Sequence, residues 1–420
     1  MRSIYPSAAA MRLHYPLVST LRAQGLAVAT TERERPLPGD HFVILADEAA
    51  PVAARTLILG GKPGTITPFI DGHSARIGFD PDDAAIAAGF ASALLRGPEA
   101  PVAADPESLA LLTLAQRVAK SDITVLINGP TGTGKEVLAR TIHRASPRAS
   151  GPFIAINCAA LPESMLEAML FGHQKGSFTG ASSGGQGFFR AANGGTLLLD
   201  EVAEMPIGLQ AKLLRALQER EVVPIGATQA EPIDVRIIAC ANRDLHAEVQ
   251  AGRFRADLYY RLSVFPLTTR ALAQRPDDVP ALATAMIVRH AAGHSSMPWL
   301  SRDALAMLEA HDWPGNVREL ENVIQRALLL CHGKTITPAD IIFDRPTQQR
   351  ASNDSPARLS NIVQMSEFQA IRDTLAACNG SRIETARRLG ISERTLRYRL
   401  AKAREQGDDI GRHQDWKATA

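Results

Sequence analysis

Apolar residues along the chain fall into three regimes. In the first hundred residues, short runs such as His41-Phe-Val-Ile-Leu45 and Thr56-Leu-Ile-Leu59 have the length of buried strands, and the alanine-rich run 83–96 that of a helix. From about residue 108 to 344, apolar strands at 124–128, 153–157, 196–200 and 235–240 alternate with helical patterns, the signature of a mainly parallel sheet with crossover helices. Beyond Pro276 the period becomes helical, with amphipathic segments at 300–309 and 316–330, and predicts an all-helical subdomain behind the sheet. A further helical pattern occupies 361–405, and a polar tail follows from Gln406.

Two breaks separate these regimes. Gly97-Pro-Glu-Ala-Pro-Val-Ala-Ala-Asp-Pro106 is punctuated by proline and glycine, and 345–356 is polar with two prolines and no large apolar residue. The organisation predicted is therefore a small α/β domain over 1–100, an α/β domain with a helical end over 108–344, a linker over 345–360 and an all-α module over 361–405. There is no internal repeat. The longest apolar stretch, 84–95, has 12 residues where a spanning helix needs about 20, so no membrane partner is expected. Pro6 and Pro16 interrupt the start, which lacks the apolar core of a secretory signal.

Composition adds little until it is resolved by region. With 420 residues and 45% apolar content the chain can build substantial cores. Its four cysteines form no CxxC pair, which favours a reducing compartment, the cytoplasm, over a disulfide or zinc framework. The net charge of +2 argues against a nucleic-acid coat. However, residues 381–405 carry eight basic and three acidic side chains, a local +5, which leaves the other 395 residues at −3.

The first chemistry sits after the strand at 124–128. Gly129-Pro-Thr131-Gly132-Thr-Gly134-Lys135 lies between that strand and a helical run, the context a GxxxxGK phosphate loop requires. Its backbone amides and the helix N-terminus cradle phosphates, and Lys135 neutralises the β and γ charges, so ATP is the expected ligand. Glu136 stands where a Ser or Thr magnesium ligand is usual. Asp200 and Glu201, ending the strand at 196–200, compensate: Asp200 for Mg2+ and Glu201 to polarise the attacking water.

By these residues the chain resembles the AAA+ domain of bacterial enhancer-binding proteins, which activate RNA polymerase carrying the alternative sigma factor sigma-54. Gly176-Ser177-Phe178-Thr179-Gly180-Ala181 is similar to the family's GAFTGA loop, and Phe254-Arg-Ala-Asp-Leu258 and Trp313-Pro-Gly-Asn-Val-Arg-Glu-Leu320 match two further family segments. The resemblance implies an AAA+ P-loop fold with a helical lid and a sigma-54 contact through Phe178 and Thr179. It further implies a switch role for Asn157, sensor roles for Asn242 and Arg318, and arginine fingers at Arg255 and Arg261. Fingers supplied by a neighbouring subunit require a ring, in this family typically a hexamer. Ser177, Met169, Gln174 and Ala241 depart from the family pattern, and none of them removes a catalytic group.

Residues 381–405 read as helix, glycine turn, helix, with Ala386, Leu389, Ile391, Leu396 and Leu400 as a small core. Arg394, Thr395, Arg397, Tyr398, Arg399 and Lys402 place the basic excess on the second helix, where duplex DNA would be read. The segment resembles the Fis-type helix-turn-helix, with 365–377 as a preceding dimerisation helix. At the front, the acidic pair of a phosphoacceptor receiver is missing and Asp47 is the one acceptor-like residue. A degenerate receiver-like domain, controlled by a protein partner or small ligand, is the expectation. Domain order and this front end resemble the family's flagellar-gene regulators. Two other readings stay open on sequence: an AAA+ remodeller of another target, and a helix-turn-helix repressor with a vestigial ATPase.

Overall fold

A computed structural model describes residues 3–29, 39–97, 100–177, 183–291 and 297–343, and beyond these 374, 378, 381–389, 391 and 396. It divides into two units, Met1–Pro346 and Thr347–Ala420.

The first unit opens with a sheet ordered β2-β1-β3-β4-β6-β5. Its strands are β1 (Ser3–Pro6), β2 (Ala27–Val28), β3 (His41–Leu45), β4 (Thr56–Leu59), β5 (Thr65–Thr67) and β6 (Ala75–Gly78), all parallel except β5. Helices α1 (Ala8–Leu13), α2 (Tyr15–Ala23) and α3 (Ala84–Arg96) accompany it. Val43, Leu57, Leu59 and Ile77 of the sheet share one core with Leu17 and Leu21 of α2 and Ile86 and Phe90 of α3. The order 2-1-3-4 is that of doubly wound flavodoxin-like sheets. A receiver's acidic chemistry is not built at its strand ends. Ser7 follows β1 and donates to Glu48 Oε2 at 2.6 Å, Leu45 N donates to the same oxygen at 2.7 Å, Phe79 follows β6, and Asp47 lies exposed in a turn.

The second sheet is wholly parallel and ordered β13-β7-β12-β9-β8. Its strands are β7 (Val125–Asn128), β8 (Phe153–Asn157), β9 (Thr196–Asp200), β12 (Arg236–Ala241) and β13 (Phe265–Thr268), with β10 (Glu221–Val222) and β11 (Glu231–Pro232) pairing apart from it. Helices α4 (Pro106–Ala119), α5 (Lys135–Arg144), α6 (Glu163–Phe171), α7 (Phe188–Ala191), α8 (Ile207–Glu219), α9 (Leu245–Gln250) and α10 (Ala256–Leu262) fill the connections. Because successive strand side chains alternate faces, Leu197 and Leu199 enter one core while Leu198 enters another. Both faces are thus covered, which is why these strands read as unbroken apolar runs. The edge strand β13 carries Pro266, a residue that only an edge tolerates, and its brevity hid it in the sequence.

The lid consists of α11 (Asp278–His290), α12 (Arg302–Glu309) and α13 (Asn316–Leu330). It is not all-helical as expected: Trp299–Leu300, β14, pairs in parallel with Thr335–Ile336, β15. Leu300, expected to open a helix, is therefore a strand residue, and Ser301 caps α12 by accepting from Ala304 N.

The composition break at 97–106 is not a break in packing. Helix α3 lies on α11 so closely that a Cβ at Gly89 would collide with the Thr284 hydroxyl, and Phe90 meets Trp299 with ring centroids 5.2 Å apart. Arg302 pairs with Asp82 and Asp83, and one hydrophobic core runs from the first sheet into the lid.

Among the described residues of the second unit, helix α14 (Arg382–Arg388) is capped by Ser381, and Ala386 and Leu396 are buried. Arg394, Thr395, Arg397, Tyr398, Arg399 and Lys402 lie outside the described residues. Among those described, no helix is long and apolar enough to cross a membrane.

Candidate nucleotide site

Strand order positions the site. Strands β7, β12, β9 and β8 lie side by side and parallel, so the residues at their C-terminal ends share one edge, where ligands of open α/β sheets bind. That edge carries the phosphate loop after β7, Asn242 after β12, Asp200 and Glu201 after β9, and Asn157 at the end of β8. Asn157 and Asp200 are register partners, and Asn157 Oδ1 accepts from Ala159 N at 2.8 Å.

The loop's shape is set by its neighbours. Three successive carbonyls are each bonded from the lid side: Thr131 O by Asn316 Nδ2 at 3.0 Å, Gly132 O by Val317 N at 3.0 Å, and Thr133 O by Arg275 Nη2 at 2.9 Å. In a trans peptide the carbonyl and the following N–H point in opposite directions, so fixing these carbonyls turns the amides of Gly132, Thr133 and Gly134 the other way, into an anion-binding nest. Gly132, at φ +79°, must be glycine twice over, since a Cβ there would stand 2.6 Å from Gly315 O. The same Cβ would stand 3.3 Å from Cβ of Arg318, which places that side chain beside the loop.

Lys135 opens α5 and arches back to donate to Gly129 O at 2.8 Å and Pro130 O at 3.0 Å. Burial pushes its ammonium pKa down and Asp200's carboxyl pKa up, while each charge opposes the other's shift. A carboxylate held in this setting gains from a cation, and a lysine so desolvated gains from phosphate. Glu201 has a left-handed backbone, φ +53°, and its N–H donates to Asp200 Oδ1 at 3.0 Å. Burial pushes the neighbouring Cys158 thiol up to about 12 and Cys240 upward too, so both are neutral at pH 7 and add no charge. Asn242 Oδ1 is buried with no partner among the described residues.

Three predicted residues stand elsewhere. Glu136 does not turn toward the loop; its carboxylate takes Arg140 Nε at 2.9 Å and Nη2 at 2.7 Å along the exposed face of α5. Arg255 is exposed and forked onto Asp257 at 3.1 and 2.8 Å, and Arg261, also exposed, donates to Leu217 O at 2.8 Å. Of the GAFTGA-like loop, only Gly176 and Ser177 are described. The stem is pinned where His173 exchanges bonds with Gly185 and Gln174 N donates to Ile225 O at 2.9 Å. Phe178, Thr179, Gly180 and Ala181 lie outside the described residues.

Sequence reasoning gave Asn316, Arg275 and Asp278 no role. Asn316 lay inside a segment already matched, and its signal was an asparagine at a helix start, where it adopts φ +54°.

Similarity to known proteins follows the same plan. The Sigma-54 interaction domain matches residues 102–268, the AAA+ ATPase lid domain 273–358, and the bacterial regulatory proteins of the Fis family 363–402. The response regulator protein FleR of Pseudomonas aeruginosa is 52% identical over 339 residues, 74% of this chain and 72% of that one. The transcriptional regulatory protein FlbD of Caulobacter vibrioides is 44% identical over 346 residues, 79% of this chain and 76% of that one. The crystal structure of NtrX from Brucella abortus in complex with ADP superposes with a TM-score of 0.54 at 24% identity, covering 95% of this chain and 99% of that one, a likeness of fold.

Proposed function

The chain belongs to the sigma-54-dependent transcriptional regulators, AAA+ ATPases that end in a Fis-type helix-turn-helix, and from that premise we propose how its own residues divide the work. Gly129, Thr131, Gly132, Gly134 and Lys135 hold the phosphates of ATP, Asp200 holds Mg2+ with them, and Glu201 orients and deprotonates the attacking water. Bound Mg2+ supplies charge neutralisation across the transferring phosphoryl group. Asn157 and Asn242 report phosphate status, and Arg318 follows it from the lid. The observation that carries this reading is the alignment of loop, acid pair and both asparagines along one sheet edge.

Arg255 and Arg261 are bonded within their own subunit to α10 and α8, on exposed surface, which supports their acting in a neighbour's site within a ring, a hexamer by the family's habit. Mixing two inactive variants tests this. Arg255→Ala subunits keep an intact acid pair, and Glu201→Gln subunits keep an intact finger, so a mixed ring regains composite sites. Random mixing should restore roughly a quarter of wild-type turnover. No recovery on mixing contradicts fingers in trans.

The C-terminal helices bind duplex DNA upstream of promoters, with Arg394, Thr395, Arg397, Tyr398, Arg399 and Lys402 on the reading helix. Phe178 and Thr179 deliver the stroke to sigma-54, and the protein acts in the cytoplasm. The Ser7–Glu48 bond and the absence of an acidic pair there support control of the front domain by a partner or ligand rather than phosphorylation. Flagellar promoters, the class implied by the front-end resemblance, are the first to map for occupancy.

A further inference from the structure

Asp278, the first residue of α11, is 0% exposed and carries four hydrogen bonds. Its Oδ1 accepts from the backbone amides of Ala104 at 2.6 Å and Asp105 at 2.8 Å. Its Oδ2 accepts from Ser108 Oγ at 2.6 Å and from Arg275 Nη1 at 3.2 Å. A buried carboxylate is retained only where its charge is matched, and here one guanidinium and three further donors match it. Arg275 extends the network, since its other terminal nitrogen is the donor that fixes Thr133 O.

Residues at the two ends of this network line one cavity. Val102 and Ala103, just before the two amides that Asp278 holds, line an apolar cavity together with Leu112, Val137 and Met286. Thr133 and Gly134 of the phosphate loop line the same cavity. Apolar residues beside a phosphate loop suit a ligand with a planar apolar group and a phosphate tail, such as a nucleotide. Its binding depends on the distance between the strap at 100–103 and the phosphate loop. Among the described residues no backbone hydrogen bond joins this strap to the phosphate loop; the side chains of Asp278 and Arg275 do.

We propose that Asp278 and Arg275 form a positioning pair that holds the strap over the base cavity and the Thr133–Gly134 peptide in register for nucleotide binding. The proposal rests on the nucleotide site described above. Because α11 also carries the front domain through Thr284 against Gly89, the pair lies where movement of that domain would reach the phosphate loop.

The test is equilibrium binding of fluorescent ATP and ADP analogues, with steady-state turnover, on the full chain. Arg275→Gln removes a charge-assisted bond to the loop and should raise Kd for both nucleotides roughly tenfold, with kcat at saturating ATP falling by a smaller factor. Asp278→Asn should raise Kd less, and the double variant should match Arg275→Gln alone, as a coupled pair requires. Arg275→Lys, which keeps a charge beside Asp278 but cannot bridge to Thr133 O at the same time, should show the same split and decides the matter if the glutamine variant does not fold. Unchanged Kd in Arg275→Lys, or strictly additive losses in the double variant, overturns the pair. A Lys135→Ala variant run alongside separates the two levels: if it binds nucleotide normally the site itself is wrong, and if it does not while Arg275 variants do, only the pair falls.

Discussion

Replacing Glu201 by Gln leaves ATP bound and stops its hydrolysis. The carboxylate proposed to polarise water is lost while shape and size are preserved, so affinity for ATP should stay within a few-fold of wild type. Turnover should fall by roughly 10² to 10⁴, the usual contribution of a positioned general base. Asp200 is untouched and still accepts from the N–H of residue 201, so the acidic end of β9 keeps its geometry. Phosphate-release kinetics and equilibrium binding on the same preparation check both halves. Undiminished turnover would remove Glu201 from the mechanism.

Lys135→Ala produces the opposite split, a loss at the level of binding. Lys135 is buried and desolvated, and its charge is the one the loop carries for the phosphates in the proposed site. Deleting a charged donor from such a site costs about 3 kcal/mol, which weakens nucleotide binding by about 100-fold. The fold should persist, because the bonds from Asn316, Val317 and Arg275 to the loop carbonyls do not involve this side chain. Titration calorimetry with ADP is the direct check, and wild-type affinity in the variant would contradict the assignment.

The site was more legible in the sequence than the molecule around it, for physical reasons. Phosphate chemistry needs glycines and a lysine at fixed spacing and carboxylates at a strand end, and both are local patterns. The strands bearing them are buried on both faces and therefore read as apolar runs, displaced in the structure by one residue at β7 and β12. What the sequence hid was long-range. The β14–β15 pair joins residues 36 apart through two-residue strands that leave no period to detect. Gly89 reads as a weak helix residue until Thr284 is set against it. Glu136 belongs to the phosphate loop by position, yet Arg140 one turn along offers its carboxylate a nearer charge. Arg255 and Arg261 show the reverse: their bonds within the subunit explain where they rest, and the role proposed for them lies in a neighbour.

The front domain gains a more definite place from this. Its sheet keeps the doubly wound order, Ser7 stands after its first strand bonded to Glu48, and its last helix shares a core with the lid that carries Arg318 and holds the phosphate loop. A signal arriving at the first sheet therefore has a packed route to the nucleotide site.

A sigma-54-dependent activator of this kind converts ATP hydrolysis into promoter opening by sigma-54 polymerase. Permanganate reactivity of promoter thymines tests it directly, with purified protein, polymerase carrying sigma-54 and a sigma-54 promoter. Melting should appear with ATP, and should be absent with a non-hydrolysable analogue or with the Glu201→Gln protein. Equal melting with the analogue, or none with ATP under conditions where the protein binds the DNA and turns ATP over, would show that hydrolysis by this chain does not open promoters.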